Sequence, residues 1–223
     1  MKLLRNFLLL VGVLVGAPAM AQSVDTTPQW NGTTFISSFG VTNTATYGQT
    51  ITLTAPSQLL GFSFRIGNCS AAVTFRGHVY AWSGSQATGA SLYDSPTQSV
   101  PADATYHVVN FSPPAPINLP AGQYVLFAST SEDQAAAPNS ACRWGSLTNN
   151  TTYPGGQFVF INNGPNPAQW TSTAWSFIAE DLAFSAVFPN NAPAPALSLW
   201  ALALFGFLVL GMGLVGVRVS RKQ

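Results

Sequence analysis

The middle of the chain alternates between apolar and polar positions with a period of two. From Leu60 to Ile66 every second residue is apolar. Side chains of a β-strand point alternately to opposite faces, so this pattern predicts strands with one buried face. The same alternation recurs at residues 73–82, 124–128 and 182–188. Weaker strand patterns cover residues 33–41, 49–54, 106–111, 157–162 and 174–180.

Glycine, proline and asparagine separate these predicted strands and mark turns. The clearest turn signals are Ser83-Gly84, Pro113-Pro114, Pro120-Ala121-Gly122, Pro154-Gly155-Gly156 and Asn163-Gly164-Pro165. No amphipathic helix pattern precedes residue 190. Nine to eleven short strands with such turns predict an all-β fold, an antiparallel β-sandwich of jelly-roll-like type. An immunoglobulin-type sandwich is the alternative, and the lack of a repeat period disfavours a β-solenoid.

The N-terminal residues have the layout of a secretory signal peptide. Lys2 and Arg5 precede an apolar run over residues 7–15, and Ala19-Met20-Ala21 forms an A-x-A cleavage site. We therefore predict a signal peptide over residues 1–21 and a mature chain beginning at Gln22. A retained signal anchor is the alternative, but the apolar run is short for a membrane span.

A second apolar segment lies near the C-terminus. Residues 197–217 carry no charge, and a helix of about 20 such residues spans the roughly 30 Å hydrocarbon core of a bilayer. Arg218, Arg221 and Lys222 follow it, and the positive-inside rule places this tail, residues 218–223, in the cytoplasm. Residues 190–196 form a Pro-rich linker to the exported domain, residues 22–189. A buried core helix is disfavoured because the segment lacks a polar face.

The C-terminal segment resembles the IPTL-CTERM sorting signals of Gram-negative bacteria, relatives of the PEP-CTERM signals. Pro195, Leu197 and Trp200 match the motif, and Arg218, Arg221 and Lys222 match its basic end. The usual Ile, Thr and Gly of the motif are replaced by Ala194, Ala196 and Ala201. The resemblance implies membrane insertion, recognition by an exosortase-like enzyme, removal of the helix and delivery to the envelope or exterior. The middle of the chain, through the runs at 75–82, 122–125, 153–156 and 181–184, more weakly resembles uncharacterised β-sandwich ectodomains that precede such tails.

Charge is distributed unevenly along the chain. Five of the eight Lys and Arg residues lie in the two terminal segments. Between Gln22 and Pro193 only Arg65, Arg76 and Arg143 oppose all seven acidic residues, which gives this part a net charge of −4. An acidic domain without a basic patch argues against binding to nucleic acid.

The sequence offers little support for catalysis. Residues 61–65 begin like a G-x-S-x-G nucleophile elbow, but Arg65 replaces the second glycine. A Ser-His-acid triad could be assembled in space from His107 with Asp103 or Asp133, against the simpler interpretation of a strand histidine. We therefore predict that the protein is not an enzyme, and we expect no cofactor.

Neighbouring carboxylates and metal-binding spacings give equally weak signals. The pairs Glu132-Asp133 and Glu180-Asp181 are adjacent in sequence, so on a strand they point to opposite faces and form no acid/base couple. Glu132-Asp133 is interpreted as a solvated loop tip. Glu180 and Asp181 could assist a structural Ca²⁺ site, although no D-x-D-x-D loop is present. The His and Cys residues lack transition-metal spacing.

Aromatic residues provide the best candidate for a ligand surface. One face of the strand at 73–82 carries Arg76, His78, Tyr80 and Trp82, which we call the strip. Exposed rings beside polar groups would bind sugars by stacking, and the loop residues Trp144, Trp170 and Trp175 could extend the surface. If the rings are exposed, protein–protein contact is the alternative to sugar binding. The competing interpretation is that a loop or the second sheet covers the rings, since large aromatic side chains dominate protein cores.

Cys69 and Cys142 are the two cysteines of the chain. In an oxidising compartment we expect them to form a disulfide at one rim of the sandwich. A redox-active pair is disfavoured because no C-x-x-C motif lowers a thiol pKa. Two separately buried thiols are the alternative.

Together these patterns predict an exported structural or adhesive protein of the cell surface or extracellular matrix. Its partners would be the membrane, an exosortase-like enzyme and an exopolysaccharide. The alternative is a polysaccharide-binding module of the envelope, and an envelope hydrolase ranks third.

Overall fold

The computed structural model describes residues 23–41, 44–134 and 141–189. The predicted signal peptide, linker, C-terminal helix, basic tail and sorting motif lie outside these residues. The described part contains a 3-10 helix, Thr27–Gln29, and a single-turn α-helix, α1, Gln169–Ser172. None of its helices has the length and apolar character that crossing a membrane requires.

Sixteen short strands make up the rest of the regular structure in the described residues. In chain order they are β1 Val24–Asp25, β2 Phe35–Phe39, β3 Thr46–Leu53, β4 Ser57–Leu59, β5 Gly61–Gly67, β6 Val73–Trp82, β7 Ala87–Asp94, β8 Gln98–Val100, β9 Tyr106–Phe111, β10 Ile117–Leu119, β11 Gly122–Ser129, β12 Cys142–Leu147, β13 Phe158–Ile161, β14 Ser176–Ile178, β15 Asp181–Leu182 and β16 Phe184–Val187. The all-β class predicted from the sequence is confirmed, although the strands are more numerous and shorter than expected.

Two seven-stranded sheets contain most of these strands. The first has the order β1-β16-β5-β12-β15, with β2 on β12 and β9 on β5. The second has the order β14-β13-β3-β11-β6-β7, with β8 on β6. Strands β4 and β10 form a separate pair. The named strands pair antiparallel throughout, as the short strands and tight turns predict.

The main core lies between the two sheets and is rich in aromatic rings. Trp144 of the first sheet packs on Tyr47 of the second with ring centroids 5.6 Å apart. Phe111 and Phe75 make a similar contact across the layers at 6.4 Å. The alternating residues predicted to face inward on β5, β6 and β16 do so: Phe62, Phe64, Ile66, Val73, Phe75, Val79, Phe184 and Ala186. Burial of apolar side chains such as these is the main favourable contribution to the stability of the sandwich.

The stretch that contains Cys142 and Trp144 is a strand, whereas the sequence suggested a loop. β12 lies inside the first sheet between β5 and β15, and Trp144 is completely buried. Gly145 interrupts the expected alternation because the Trp30 ring packs against its backbone. A Cβ at Gly145 would come within 2.8 Å of Trp30 Cε2, so a larger residue would displace that ring.

The predicted disulfide is confirmed. Cys69 follows the end of β5 and Cys142 begins β12, and these two strands are neighbours in the first sheet. Their Cα atoms are 4.1 Å apart, and both residues are buried. The bridge therefore ties two adjacent strands across a sequence separation of 73 residues.

Candidate functional site

The strip occupies the outer face of the second sheet. Its four residues lie on β6, on the side opposite to the inward-facing Val73, Phe75 and Val79. β6 is flanked by β11 and β7, so the strip lies within the sheet rather than at its edge. The structure thus places Arg76, His78, Tyr80 and Trp82 on one strand face, with very different exposures.

A second apolar layer covers the aromatic half of the strip. Trp170 and Trp175, which we call the aromatic cover, are both buried and pack on Phe127 of β11 with centroids 5.1 and 5.2 Å away. The ring of Trp82 packs edge-on against the ring of Trp175, with centroids 5.5 Å apart, and the ring of Tyr80 packs against that of Trp170 at 6.2 Å. Both strip rings are therefore only partly exposed, and they do not form an open, flat platform.

The sequence contains a reason for this cover. β11 is apolar at consecutive positions, so Val125 and Phe127 point away from the core that Leu126 enters. A continuous apolar run predicts a strand buried on both faces, and the outer face then requires a covering segment. Residues 163–175 provide it. Gln86 Nε2 donates to Thr171 O at 2.6 Å, and this bond fastens the segment to the β6–β7 turn.

A closed hydrogen-bond network, the Thr46 network, holds the aromatic cover in place. It consists of the buried residues Thr46, Ser129, Ser131 and Asn163 together with the indole N–H of Trp170. Trp170 Nε1 donates to Thr46 Oγ1 at 3.1 Å, and Asn163 Nδ2 donates to Ser131 Oγ at 2.8 Å. Each polar group in this apolar setting has a partner, as buried polar groups generally do.

The cationic end of the strip forms an ion pair. Arg76 Nε donates to both carboxylate oxygens of Asp133, at 2.9 and 3.1 Å, and Thr97 Oγ1 donates to the same group at 2.7 Å. Burial alone would raise the pKa of Asp133, but the bonds from Arg76 and Thr97 hold that pKa below its ordinary value. Asp133 was expected at a solvated loop tip. It is instead a mostly buried anchor for Arg76.

His78 is the most enclosed residue of the strip, with only 1% of its surface exposed. Its Nδ1 lies 2.7 Å from Asp94 Oδ1, and this bond lowers the pKa of Asp94. The ring stacks on Phe127 at 4.8 Å. Nε2 has no hydrogen-bond partner among the described residues, and Glu132 Oε2 lies 4.0 Å away. The side chain therefore cannot reach a ligand at the surface without the cover moving.

The second histidine also meets a carboxylate. His107 Nε2 on β9 lies 3.0 Å from Asp103 Oδ2. The pKa of Asp103 is lowered mainly by its hydrogen bond from the Thr105 backbone N–H and, to a smaller extent, by His107. No serine of the described part forms a hydrogen bond with His107. Ser63, from the elbow-like sequence, lies in mid-strand on β5 and pairs with Ser185 at 2.7 Å.

Of the neighbouring carboxylates Glu180 and Asp181, Asp181 has a structural role. Asp181 is fully buried, where it accepts hydrogen bonds from Gln49 Nε2 at 3.0 Å and Tyr153 N at 2.8 Å. Burial raises its pKa to about 6. Its oxygens thus serve the packing between the sheets, and the described residues contain no group of three or more metal-ligating side chains. Among the described residues, no third acidic, His or Cys side chain joins Glu180 and Asp181 to form the suggested Ca²⁺ site.

A groove with entirely different walls lies beside β12, and no motif in the sequence indicated it. This polar groove has a volume of about 260 Å³ and is lined by Gln29, Asn31, Thr34, Ser146, Leu147, Thr148, Asn149, Thr151 and Thr152. Two uncharged runs rich in Asn and Thr, at 31–34 and 148–152, were the available signal. They are separated by more than 110 positions, so only the pairing of β2 with β12 brings them together.

Comparison with known proteins assigns no family to the chain. No family model matches it, and no curated protein matches it. One similar solved structure is the crystal structure of the cysteine protease and lectin-like domains of Cwp84, a surface layer associated protein of Clostridium difficile. The match has a TM-score of 0.41 and 12% sequence identity, and it covers 66% of this chain and 32% of that chain. This similarity is too low to carry a functional argument.

Proposed function

We propose that the protein is an exported, non-enzymatic structural or adhesive component of the cell surface or extracellular matrix. In this proposal residues 1–21 are removed on export, and an exosortase-like enzyme recognises the C-terminal sorting motif. The Cys69–Cys142 disulfide is the observation that carries the proposal, because such bridges persist in oxidising compartments outside the cytoplasm.

The hydrogen bonds and burial of the candidate catalytic residues support a structural role for the protein rather than hydrolase activity. Asp133 and Asp181 are held in structural hydrogen bonds, and His78 is enclosed by aromatic rings. His107 has an acid partner, and no serine of the described residues forms a hydrogen bond with it. The jelly-roll-like connection of the strands is part of the same proposal, since many viral capsid and lectin domains use that architecture.

Mass spectrometry of the mature protein from its native host tests this proposal. We expect an extracellular form that begins at Gln22, lacks residues 197–223 and contains the oxidised Cys69–Cys142 pair. Replacing Arg218, Arg221 and Lys222 by Gln should impair retention and orientation of the precursor, because those charges hold the tail in the cytoplasm. Recovery of only the full-length chain, with free thiols and confined to the inner membrane, would contradict the proposal.

Polysaccharide binding is a second candidate function, and one observation favours it. The polar groove is uncharged, open and rich in groups that can both donate and accept hydrogen bonds. The strip, by contrast, is largely covered, so any binding surface of this kind would lie on the groove side of the molecule.

A further inference from the structure

Two of the three arginines in the described part lie together on the outer face of the first sheet. Arg65 is on β5 and Arg143 is on β12, and Arg143 pairs with Gly67, two positions along the strand from Arg65. Side chains two positions apart point to the same face, and such diagonal neighbours lie about 7–8 Å apart. The adjoining Ile66 and Trp144 are fully buried in the core, so both arginine side chains point outward.

Neither of these arginines has a partner of opposite charge. Among the described residues no carboxylate lies within 4.0 Å of either guanidinium group, since the close ion pairs there involve only Arg76 and the two histidines. The described strands of the first sheet carry two acidic residues, Asp25 and Asp181, and both are bonded elsewhere. Asp25 accepts from the Thr27 backbone N–H and hydroxyl, and Asp181 is buried on the inner side of the sheet.

Arg65 has lost part of its hydration without gaining a protein group in its place. Its Nε is buried and has no hydrogen-bond partner among the described residues, although the side chain as a whole is partly exposed. Charged groups that leave water are normally paired. Arg76 on the other sheet shows that arrangement, because its Nε donates to both oxygens of Asp133. The terminal nitrogens of Arg65, which are not enclosed in this way, can therefore bind an anion from solution.

Arg143 is held in position by an aromatic ring. Its Cζ lies 4.0 Å from the centroid of the Phe35 ring, on the neighbouring strand β2. A cation–π contact restrains a guanidinium group without using its N–H groups in hydrogen bonds. These donors remain available for a carboxylate, which they can bind through two parallel bonds. Phe35 is itself 39% exposed, so the contact lies at the surface where a ligand can reach it.

Two further aromatic side chains border the arginines. Trp30 packs on the outer side of Gly145 in β12, and its ring lies edge-on to Tyr106 with centroids 4.9 Å apart. Burial raises the pKa of Tyr106 and the positive charge of Arg143 opposes that rise, so the two side chains share one environment. Both rings are partly exposed. The arginine face, as we call this surface, consists of Trp30, Phe35, Arg65, Tyr106 and Arg143.

The arginine face combines features that select an acidic carbohydrate. Paired guanidinium groups favour carboxylates, and partly exposed aromatic rings offer apolar surface to sugar rings. The polar groove adjoins this face, because Gln29 and Asn31, which flank Trp30 in the chain, line it with amide groups that suit hydroxyl groups. Two arginines in an otherwise acidic domain are too few for the dense phosphate charge of nucleic acid.

We propose that the arginine face binds an acidic polysaccharide, with Arg65 and Arg143 pairing with carboxylates of its uronate units. The inference deepens the proposed surface function and rests on it for the source of the ligand, a matrix polysaccharide. The binding surface is thus distinct from the strip, which was the candidate in the sequence.

Calorimetric titration of the full-length, detergent-solubilised protein tests the inference. The probes are the hexamers of galacturonate, mannuronate and guluronate. Maltohexaose is the control for sugar rings without charge, and hexaglutamate is the control for carboxylates without sugar rings. We expect at least one uronate hexamer to bind at least about tenfold more tightly than either control, because only the uronates offer both features. Failure of all three uronates, or equal binding of either control, would overturn the proposal.

Three variants locate the binding. Arg65→Gln and Arg143→Gln should each weaken binding of the uronate at least about tenfold, the loss expected for a hydrogen bond between charged groups. Thr88→Glu is the matched control, because it changes the net charge by the same amount at an exposed position on β7 of the other sheet. Its affinity should stay close to that of the wild type.

The thermal midpoint of each variant shows whether the fold is kept. Arg143 has no buried unpaired nitrogen among the described residues, so Arg143→Gln tests the arginine face even if Arg65→Gln perturbs packing. Unchanged affinity in both arginine variants would contradict the proposal. An equal loss in Thr88→Glu would also contradict it, because the effect would then reflect net charge rather than this face.

The outcomes separate this inference from the proposed function. A processed, surface-located protein that binds none of the uronate hexamers would leave the surface function standing and remove the arginine face as its binding site. A full-length chain kept in the inner membrane that still binds a uronate hexamer through Arg65 and Arg143 would do the reverse.

Discussion

The Thr46 network and the polar groove are built from the same residue types but differ in completeness. In the network, Thr46, Ser129 and Asn163 satisfy one another and the indole of Trp170 beneath a covering segment. In the groove, Thr, Asn and Gln side chains surround an open volume, and the side chains of Gln29, Thr148 and Thr152 have no hydrogen-bond partner among the described residues. The first arrangement contributes to stability, whereas the second leaves hydrogen-bonding capacity for another molecule.

This difference shows that residue type alone does not distinguish a structural site from a binding site. A satisfied buried hydroxyl contributes about 0.5–1.5 kcal/mol per bond, while an unsatisfied one costs about 1–3 kcal/mol. Polar groups on the covered face should therefore be important for folding. The groove side chains that lack a partner, those of Gln29, Thr148 and Thr152, should be dispensable for folding and available for binding.

Removing the aromatic cover should have the largest effect on the covered face. Trp170→Ala deletes a buried ring that contacts Phe127 and also breaks the bond to Thr46, so we expect a loss of about 3–5 kcal/mol in the free energy of unfolding. Chemical denaturation provides the measurement. Phe177→Ala is the control, because that ring is 64% exposed and should change stability by no more than about 0.5 kcal/mol. Equal losses in the two variants would show that Trp170 covers nothing important.

Breaking the disulfide should weaken the strand that carries the groove. Cys142 begins β12 and Ser146 lies near its end, so the bridge to Cys69 restrains the groove wall. For a sequence separation of 73 residues the chain-entropy model gives up to about 4 kcal/mol. Reduction of the folded protein should lower its midpoint in a thermal melt. The double variant Cys69→Ser/Cys142→Ser should melt at that lower midpoint with or without reductant, and an unshifted midpoint would contradict the stabilising role.

Asp181 should give the fold a distinctive pH dependence. With its pKa raised to about 6, the folded protein keeps a proton that the unfolded chain releases near pH 4. The contribution of Asp181 to the free energy of unfolding is therefore fully present below about pH 4. It falls by up to about 3 kcal/mol as the pH rises through about 6.

Asp181→Asn isolates this contribution. The difference in unfolding free energy between the wild type and Asp181→Asn should change between pH 4 and pH 6 and stay level from pH 6.5 to pH 8. Urea denaturation at each pH measures it. A difference that stays constant from pH 4 to pH 8 would mean that burial does not raise this pKa.

Sequence patterns predicted the strands whose two faces differ in polarity. Alternation along β5, β6 and β16 located their inward residues because each of these strands has one face in the main core. β12 was missed, since the apolar–polar alternation of Cys142, Arg143 and Trp144 is short and is followed by Gly145 and Ser146, which are buried without being apolar side chains. The cover over Phe127 and the groove around Ser146 depend on contacts between distant segments, which no local pattern contains.

A matched pair of serine variants tests most directly the contrast between a hydrogen-bonded and an unpaired buried hydroxyl. Ser129 and Ser146 are both 1% exposed, and both lose the same hydroxyl on replacement by alanine. Ser129→Ala should lower the free energy of unfolding by about 1–3 kcal/mol, because it leaves Thr46 and Ser131 with missing partners. Ser146→Ala should leave that free energy unchanged or raise it by about 1 kcal/mol, because it removes an unpaired buried group. Equal destabilisation of the two variants would contradict the distinction between the satisfied hydroxyls of the Thr46 network and an unsatisfied buried hydroxyl.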